Sequence, residues 1–351
     1  MTLDTFHRTN GAVLAPDGIP LHFGDQSGEY QAALHNAVLM ERSHEGRFQA
    51  TGRDRFSLIQ RMSTNDVEKM PDDLGRPTIL TNPTGRIIDR LMIYHQGENT
   101  LITTEPGRGE AVGRYLRSQV FFNDDFRLSD LSDSTRLFAL HGPRADALVE
   151  ALTGRAVTPA PDSYECIATN ELIFVRRKGL SGGHWAIIVP NHAAESAWQT
   201  IMQAGAAHGL RPAGSLTYNV LRIQSGRPGV GRELSEQYIP LEAGLWDEVS
   251  FSKGCYTGQE IIARMESRSR LAKTMVHLRL SQMLDAPAPL LHDGREVGTL
   301  TSSVEAPDGQ RYGIGFVKVV HAVPGQMLSA GNVRVEITAL AGAQPPQLSG
   351  E

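Results

Sequence analysis

The hydrophobic pattern of the chain changes near Arg270, and this change limits what the chain can fold into. Downstream of it, segments such as "TMVHLRL", "EVGTLTSSVEA" and "NVRVEITAL" alternate in polarity and are separated by Pro, Asp and Gly turns. Short strands at such spacing are typical of a small β-barrel. We therefore expect a separate C-terminal β-barrel domain over residues 271–343, followed by a disordered tail over residues 344–351.

Residues 1–270 show a different pattern, in which helix-like and strand-like segments alternate. The segment "QAALHNAVL" predicts a helix over residues 31–39, and "GRDRFSLIQRMSTNDV" predicts another that ends in the polar stretch at residues 63–66. Strands are predicted on both sides of the turns "NPTG" and "QGEN", and a hairpin is predicted to bend at residues 181–183. The strand-glycine-helix fingerprint of a dinucleotide site is absent. We expect an α+β fold.

Composition excludes several classes of function. The 351 residues carry a net charge of -5 in short alternations of sign, which does not indicate a nucleic-acid-binding face. No apolar run approaches the roughly 18 residues that a membrane span needs, and the N-terminus lacks a signal-like segment. The two cysteines and the spacing of the histidines indicate neither a disulfide framework nor a metal site. We expect a cytoplasmic monomer without a nucleic-acid or membrane partner.

The stretch "KGCYTGQE" is the most distinctive local motif. It follows a strand-like "VSF" and leads into a helix, with Thr257 and Glu260 in the positions of a capping box. Cys255 would then lie where the helix amides and dipole point, with Lys253 two residues away, and both features favour a thiolate. The sequence leaves an equal alternative, in which Cys255 is a small buried residue and Lys253 points to solvent.

Asp89 is a second candidate because of the face on which it falls. A period of two along "GRIIDRLMIY" places Asp89 with Ile87, Leu91 and Ile93. A carboxylate on an apolar face is paired, protonated or functional. If the strand register were shifted by one residue, Asp89 would instead lie at the surface.

The region around the cysteine resembles a known family. The segment "RIQSGRPGVGRELSEQYIPLEAGLWDEVSFSKGCYTGQEIIARMESR" is similar to the signature region of the YgfZ-type proteins. These are folate-binding relatives of the glycine-cleavage T-protein, an aminomethyltransferase, and are associated with maintenance of iron-sulfur enzymes. The opening "IPLHFGDQSGEYQAALHNAVLMERSHEGRFQATG" and the strand "GRIIDRLMIY" are similar to those of T-proteins, so the resemblance spans residues 18–270.

The resemblance implies a fold and a function. The implied fold has three domains around a central cavity that holds folate, with two interleaved α+β domains in residues 1–270. The implied function is that of an accessory protein that uses tetrahydrofolate or a derivative and serves iron-sulfur enzymes or assembly factors, including those of tRNA modification. Cys255, Lys253 and Asp89 are the implied catalytic residues.

The same resemblance implies which residues contact folate. They are Asn65, Asp66, Asp89, Arg222, Glu242, Tyr256 and Gln259. Arg222 suits the glutamate tail and Asp89 the pterin edge, although Arg222 has the alternative of an internal ion pair with Glu233.

Two other functions stay open on the sequence. One is that of an aminomethyltransferase or a related folate-dependent demethylase. T-proteins carry two adjacent aspartates where this chain has Asp89 followed by Arg90, which argues against that chemistry. The other is that of a scaffold that kept the fold and lost both ligand and reaction.

Overall fold

The computed structural model describes residues 3–158, 163–267 and 271–345. Its chain divides into two compact units, each built from separate stretches of sequence. Unit 1 comprises Met1–Ile59, Val67–Pro77 and Leu91–Leu221, and unit 2 comprises Gln60–Asp66, Thr78–Arg90 and Arg222–Glu351. Residues 346–351 of the predicted tail lie outside the described residues.

Eight α-helices occur in the described ranges. They are α1 (Leu3–Thr9), α2 (Gln26–His35), α3 (Arg55–Met62), α4 (Gly109–Ser118), α5 (Ala145–Thr153), α6 (Ala194–Gly205), α7 (Ser215–Gln224) and α8 (Gln259–Ser267). Short 3₁₀ turns lie at Asn191–Ala193, Ala206–His208, Trp246–Glu248 and Val319–His321. Within these same residues, no helix has both the length and the apolar character needed to cross a membrane.

The strands fall into two groups along the chain. The first group is β1 (Val13–Leu14), β2 (Pro20–His22), β3 (Ala37–Glu41), β4 (Glu45–Thr51), β5 (Gly75–Thr81), β6 (Ile87–Gln96), β7 (Asn99–Pro106), β8 (Arg127–Asp130), β9 (Thr135–Gly142), β10 (Cys166–Ala168), β11 (Ile173–Arg176), β12 (Gly183–Pro190) and β13 (Leu210–Pro212). The second is β14 (Lys273–Leu280), β15 (Ala288–His292), β16 (Arg295–Glu305), β17 (Arg311–Lys318), β18 (Met327–Ala330) and β19 (Val333–Leu340).

The sheets have three main arrangements besides the β1-β2 pair. A six-stranded sheet has the order β10-β11-β12-β9-β3-β13, in which only β13 and β3 pair in parallel. A five-stranded sheet has the order β5-β6-β7-β4-β8. The last six strands close into a barrel of order β14-β17-β16-β15-β18-β19, so the predicted C-terminal barrel and the α+β class are confirmed.

Burial explains why these segments form these elements. Along β14, Val276, Leu278 and Leu280 are buried while Arg279 is exposed, which is the alternation that the sequence showed. In unit 1, Trp185 of β12 is fully buried in the core that includes Trp198 of α6, and its indole N–H donates to Asp146 Oδ1 at 2.8 Å. Each unit therefore has its own apolar core.

Two local predictions are wrong. The helix predicted over residues 31–39 ends at His35, and Ala37–Glu41 is a strand because all five of its residues are buried in the sheet between β9 and β13. The stretch "VSF" is not a strand. It is an irregular loop, held where the Ser250 N–H donates to Thr64 O at 3.0 Å. The hairpin at residues 181–183 is confirmed by the bounds of β11 and β12.

A buried charge cluster in unit 1 predicts a dependence of stability on pH. Glu45 contacts Arg42 Nε at 2.9 Å and Arg177 Nη1 at 2.5 Å. Burial alone would raise the pKa of Glu45, but the charges of Arg177 and Arg42 lower it below its usual value. Beside them, burial and then the charge of Arg42 lower the pKa of His44 to about 4.

His44 should therefore lower the free energy of unfolding at acid pH. It is neutral in the folded chain between pH 6.5 and 4, whereas the unfolded chain binds a proton there, so its contribution is present above about pH 6.5 and declines as pH falls towards 4. Replacing His44 with glutamine should remove about 2 kcal/mol of the loss in unfolding free energy between pH 7 and 4.5. Urea unfolding of both proteins at the two pH values measures it, and parallel pH profiles would contradict it.

Candidate functional site

The two cysteines lie in opposite environments. Cys166 of β10 is buried, as the sequence predicted, and burial raises the pKa of its thiol to about 12. Cys255 is exposed, in the loop between the 3₁₀ turn Trp246–Glu248 and α8. Only the Cys255 thiol is therefore available to a ligand or a partner protein, and the buried alternative for Cys255 is wrong.

Lys253 anchors this loop. Its side chain is buried, and its ammonium donates to three backbone carbonyls, those of Gln60, Ser63 and Asn65, each at 2.7 Å. It also lies 5.1 Å from the centroid of the Tyr256 ring. These carbonyls use the three N–H donors of an ammonium. The alternative in which Lys253 points to solvent is therefore wrong. The Lys253 side chain, which the sequence places near the thiol, instead fixes the loop to the polar stretch at residues 63–66.

The polar stretch is shaped by its own side chains. The Asn65 N–H donates to Thr78 Oγ1 at 2.9 Å, and Asn65 Oδ1 accepts from the Asp66 N–H at 2.9 Å. Asp66 Oδ1 accepts from Gln60 Nε2 at 3.0 Å. The structure thus brings predicted residues Asn65 and Asp66 together with Lys253, and the contacts direct the Asn65 carbonyl at the lysine.

A buried ion pair between Arg90 and Glu248 contacts the same region. Arg90 Nε lies 2.9 and 2.7 Å from the two carboxylate oxygens of Glu248, and Arg90 Nη2 lies 2.5 Å from Oε1. Both side chains are almost completely buried. The Glu248 carbonyl accepts from Thr64 Oγ1 at 2.7 Å. Glu248 therefore links β6 to the polar stretch, immediately before the cysteine loop.

Glu248 was not among the predicted site residues. Its signal in the sequence was available, since the Arg90 that replaces the second aspartate of T-proteins is a charge on a buried strand and needs a carboxylate partner. That requirement directs a search for the partner to acidic residues such as Glu248, which lies in the same signature segment as Cys255.

Asp89 lies on the predicted face. It is 1% exposed, Ile87, Leu91 and Ile93 are fully buried, and Asp89 Oδ1 accepts from the Arg90 N–H at 2.7 Å. The surface alternative for Asp89 is therefore wrong, and the residue is a buried carboxylate beside the Arg90 pair.

The start of α8 differs from the predicted capping box. The helix begins at Gln259, whose Oε1 accepts from the Tyr256 N–H at 3.4 Å, while Glu260 pairs with Arg264 at 2.8 Å on the exposed side. The Thr257 hydroxyl donates to Arg61 O at 3.4 Å instead of capping the helix. Gly258, which follows Thr257, has a φ of +84°. This is not a helical backbone conformation, so the helix does not start directly after Thr257 as a capping box requires. Burial raises the pKa of Tyr256 to about 12, so its phenol is neutral.

Arg222 and Glu242 make contacts elsewhere in unit 2. Arg222 Nη1 lies 3.5 Å from Glu233 Oε2, and Arg222 Nη2 donates to Ser302 Oγ of the barrel at 3.2 Å. The structure thus favours the ion-pair alternative for Arg222. Glu242 accepts from the Ile239 N–H at 3.2 Å and from Arg86 at 3.5 Å, and burial raises its pKa.

Comparison with known proteins places the chain in a family. The model of the GCVT N-terminal domain matches residues 11–253. The chain belongs to the GCVT family. Cys255 lies two residues beyond the end of the matched stretch.

Relatives agree with the GCVT assignment. An aminomethyltransferase of Caldanaerobacter subterraneus is 30% identical over 256 residues, which cover 71% of this chain and 68% of the relative. A chloroplastic protein of Arabidopsis thaliana, named as a candidate transferase, is 29% identical over 98% of this chain and 80% of its own length. The crystal structure of glycine cleavage system aminomethyltransferase T from Bartonella henselae matches with a TM-score of 0.85 over 98% of both chains, at 19% identity. The chain has the T-protein fold.

Proposed function

We propose that this protein binds a tetrahydrofolate and supports the assembly or repair of iron-sulfur clusters through the Cys255 thiol. The observation that carries the proposal is the exposure of Cys255 between two buried and fixed neighbours, Lys253 and Tyr256. Free cysteines are among the most buried residues in proteins, so an exposed thiol on an anchored loop is unusual. Such a thiol is presented to a partner in a defined place, which suits action on client proteins.

The folate part of the proposal rests on the family and on acceptor groups. A pterin edge carries N–H donors and pairs well with a buried carboxylate, and Asp89 is such a group. Asn65 and Asp66 add polar groups in the polar stretch, where Asn65 Oδ1 accepts from the Asp66 N–H and Asp66 Oδ1 accepts from Gln60. Arg222 does not suit the glutamate tail because it is already paired with Glu233. When bound, a tetrahydrofolate would supply one-carbon chemistry, while the residues of this chain orient it.

The Arg90 and Glu248 pair distinguishes this proposal from an aminomethyltransferase. By the resemblance, T-proteins carry two adjacent aspartates in this strand, one of them near the folate, and the second stands where this chain has Arg90. Here that position is a cation, neutralised by Glu248 in a bidentate contact. Of the two acidic groups, this chain therefore keeps only Asp89. The Arg90 guanidinium that replaces the other is paired with Glu248 within the protein.

The proposal is tested with Cys255→Ser in a strain that lacks the wild-type protein. Because Cys255 is exposed, the variant should fold normally and bind tetrahydrofolate as the wild type does, yet activity of iron-sulfur enzymes, including tRNA methylthiolation, should fall to the level of the deletion strain. Cys166→Ser is not a suitable control because Cys166 is buried, so Ser252→Ala, at an exposed neighbouring position, serves instead.

Two results would contradict the proposal. One is normal iron-sulfur enzyme activity in the Cys255→Ser strain. The other is aminomethyl transfer to tetrahydrofolate by the purified protein that is abolished by Asp89→Asn and unaffected by Cys255→Ser. The second result would favour the transferase.

A further inference from the structure

Strands β14, β16 and β17 of the barrel, together with Tyr238 from outside the barrel, line a cavity of about 340 Å³ that is distinct from the cysteine loop. Its walls are aromatic and aliphatic, from Tyr238, Val297, Phe316 and Val317. The rest of the lining comes from two lysines, Glu296, Gly298 and Thr299. The rings of Tyr238 and Phe316 are stacked, with centroids 3.5 Å apart and an angle of 8° between their planes. The volume falls at the lower end of the range for small-molecule sites.

The two lysines give the cavity an unusual charge. The chain has five lysines, and Lys273 and Lys318 are both placed here. The Lys273 ammonium lies 4.3 Å from the Tyr238 ring centroid and donates to Gln237 O at 3.4 Å, while Lys318 donates to Glu296 O at 3.2 Å. Neither ammonium has a carboxylate within 4.0 Å among residues 3–158, 163–267 and 271–345. Each therefore keeps N–H donors for a ligand.

Neighbouring carboxylates offset these charges only in part, since Glu296 is the one acidic residue among the described residues of the lining and it faces two lysines. Glu242, the carboxylate whose charge acts on Lys273, is itself paired with Arg86 at 3.5 Å. Burial raises the pKa of Tyr238 to about 12, so the phenol that forms the wall stays neutral. The stacked rings hold the Lys273 ammonium by a cation-π contact without neutralising it. The cavity thus combines two ammonium groups and the Glu296 carboxylate with an apolar wall, and its lining keeps a net positive charge.

We propose that this cavity binds a small organic acid, whose carboxylate is held by Lys273 and Lys318 while a flat or branched apolar body packs on Tyr238, Phe316 and the two valines. Neither a carboxylate alone nor an apolar body alone would use all of the lining. A bare anion would leave the aromatic wall unused, and a neutral apolar ligand would have to cover two ammonium groups without pairing them. The site is independent of the folate function proposed above.

Benzoate is the probe, and benzamide is its uncharged isostere. Calorimetry and saturation-transfer NMR on the full chain should show benzoate binding at least about ten-fold more tightly than benzamide. Lys273→Met and Lys318→Met, which keep an unbranched side chain, should each weaken benzoate binding about ten-fold. Lys273→Arg should retain it. Lys69→Met, which removes the same charge from an exposed lysine that does not line the cavity, should leave it unchanged.

Three outcomes would overturn the proposal. They are equal binding of benzoate and benzamide, benzoate binding that neither lysine substitution weakens, and no binding of benzoate at about ten millimolar. Inorganic phosphate that binds as tightly as benzoate would also overturn it, because the apolar wall would then contribute nothing. Thermal unfolding of each variant shows that a loss of binding is not a loss of folding, and Lys273→Arg provides a second, charge-conserving test.

Discussion

Replacing Arg90 with alanine is expected to lower the free energy of unfolding by about 3–5 kcal/mol, the range for breaking a buried ion pair. Arg90 and Glu248 share three close contacts and are almost completely buried, so the variant leaves the Glu248 carboxylate in an apolar environment without its cation. The cost is mainly the desolvation of the remaining charge. Urea unfolding, followed by circular dichroism and by tryptophan fluorescence, measures it.

A double substitution separates the cost of an unpaired buried charge from the loss of the pair itself. Glu248→Ala alone should cost a similar amount, and Arg90→Met combined with Glu248→Leu should recover much of the loss, because neither charge is then left buried. Arg264→Ala is the matched control, since Arg264 forms an exposed pair with Glu260 at 2.8 Å, and should cost less than about 0.5 kcal/mol. A loss below about 1 kcal/mol in Arg90→Ala would show that the pair does not support the region.

The barrel and the buried position of Asp89 could be predicted from the sequence. The spacing of apolar side chains along a strand indicates directly which of its faces is buried. Along β14 the apolar residues Val276, Leu278 and Leu280 recur at every second position, and the same rule placed Asp89 on a buried face. Such predictions need only the neighbours of a residue in sequence. They succeeded for β14 and for Asp89.

The anchoring of Lys253 could not be predicted in this way. Its three partners are backbone carbonyls of residues 60, 63 and 65, about 190 positions earlier in the chain. Every residue has a carbonyl, so no residue type marks the acceptors. The division of the chain into two units, which assigns Gln60–Asp66 to the same unit as Lys253, was equally hidden because it depends on contacts between distant stretches.

The environment of Cys255 was left open by the sequence for a related reason. Local signals supported an exposed thiol and a buried one equally, since a small side chain fits either. What decides between them is the burial of the flanking residues, Lys253 at 8% and Tyr256 at 7% exposure. With both neighbours held inside, the thiol is directed outwards. Lys253 holds the cysteine loop in place, so a substitution at Lys253 tests whether this anchoring is needed.

Lys253→Met is expected to lower the free energy of unfolding by about 3 kcal/mol, because three carbonyls lose a charged donor and water replaces it only in part. Cys255→Ser, at an exposed position, should change it by less than about 0.5 kcal/mol, so the two variants separate the support of the loop from its chemistry. Lys69→Met, at an exposed lysine, is the matched control.

Hydrogen exchange gives a second, local measure of the same anchoring. The Thr257 N–H donates to Arg61 O at 3.1 Å and the Ser250 N–H to Thr64 O at 3.0 Å, so both amides exchange through opening of the contacts around Lys253. In Lys253→Met their protection should fall by more than that of the barrel amides, because the lost interactions are local. Equal loss of protection throughout unit 2, or a stability within about 0.5 kcal/mol of the wild type, would show that the three carbonyl contacts do not hold the cysteine loop.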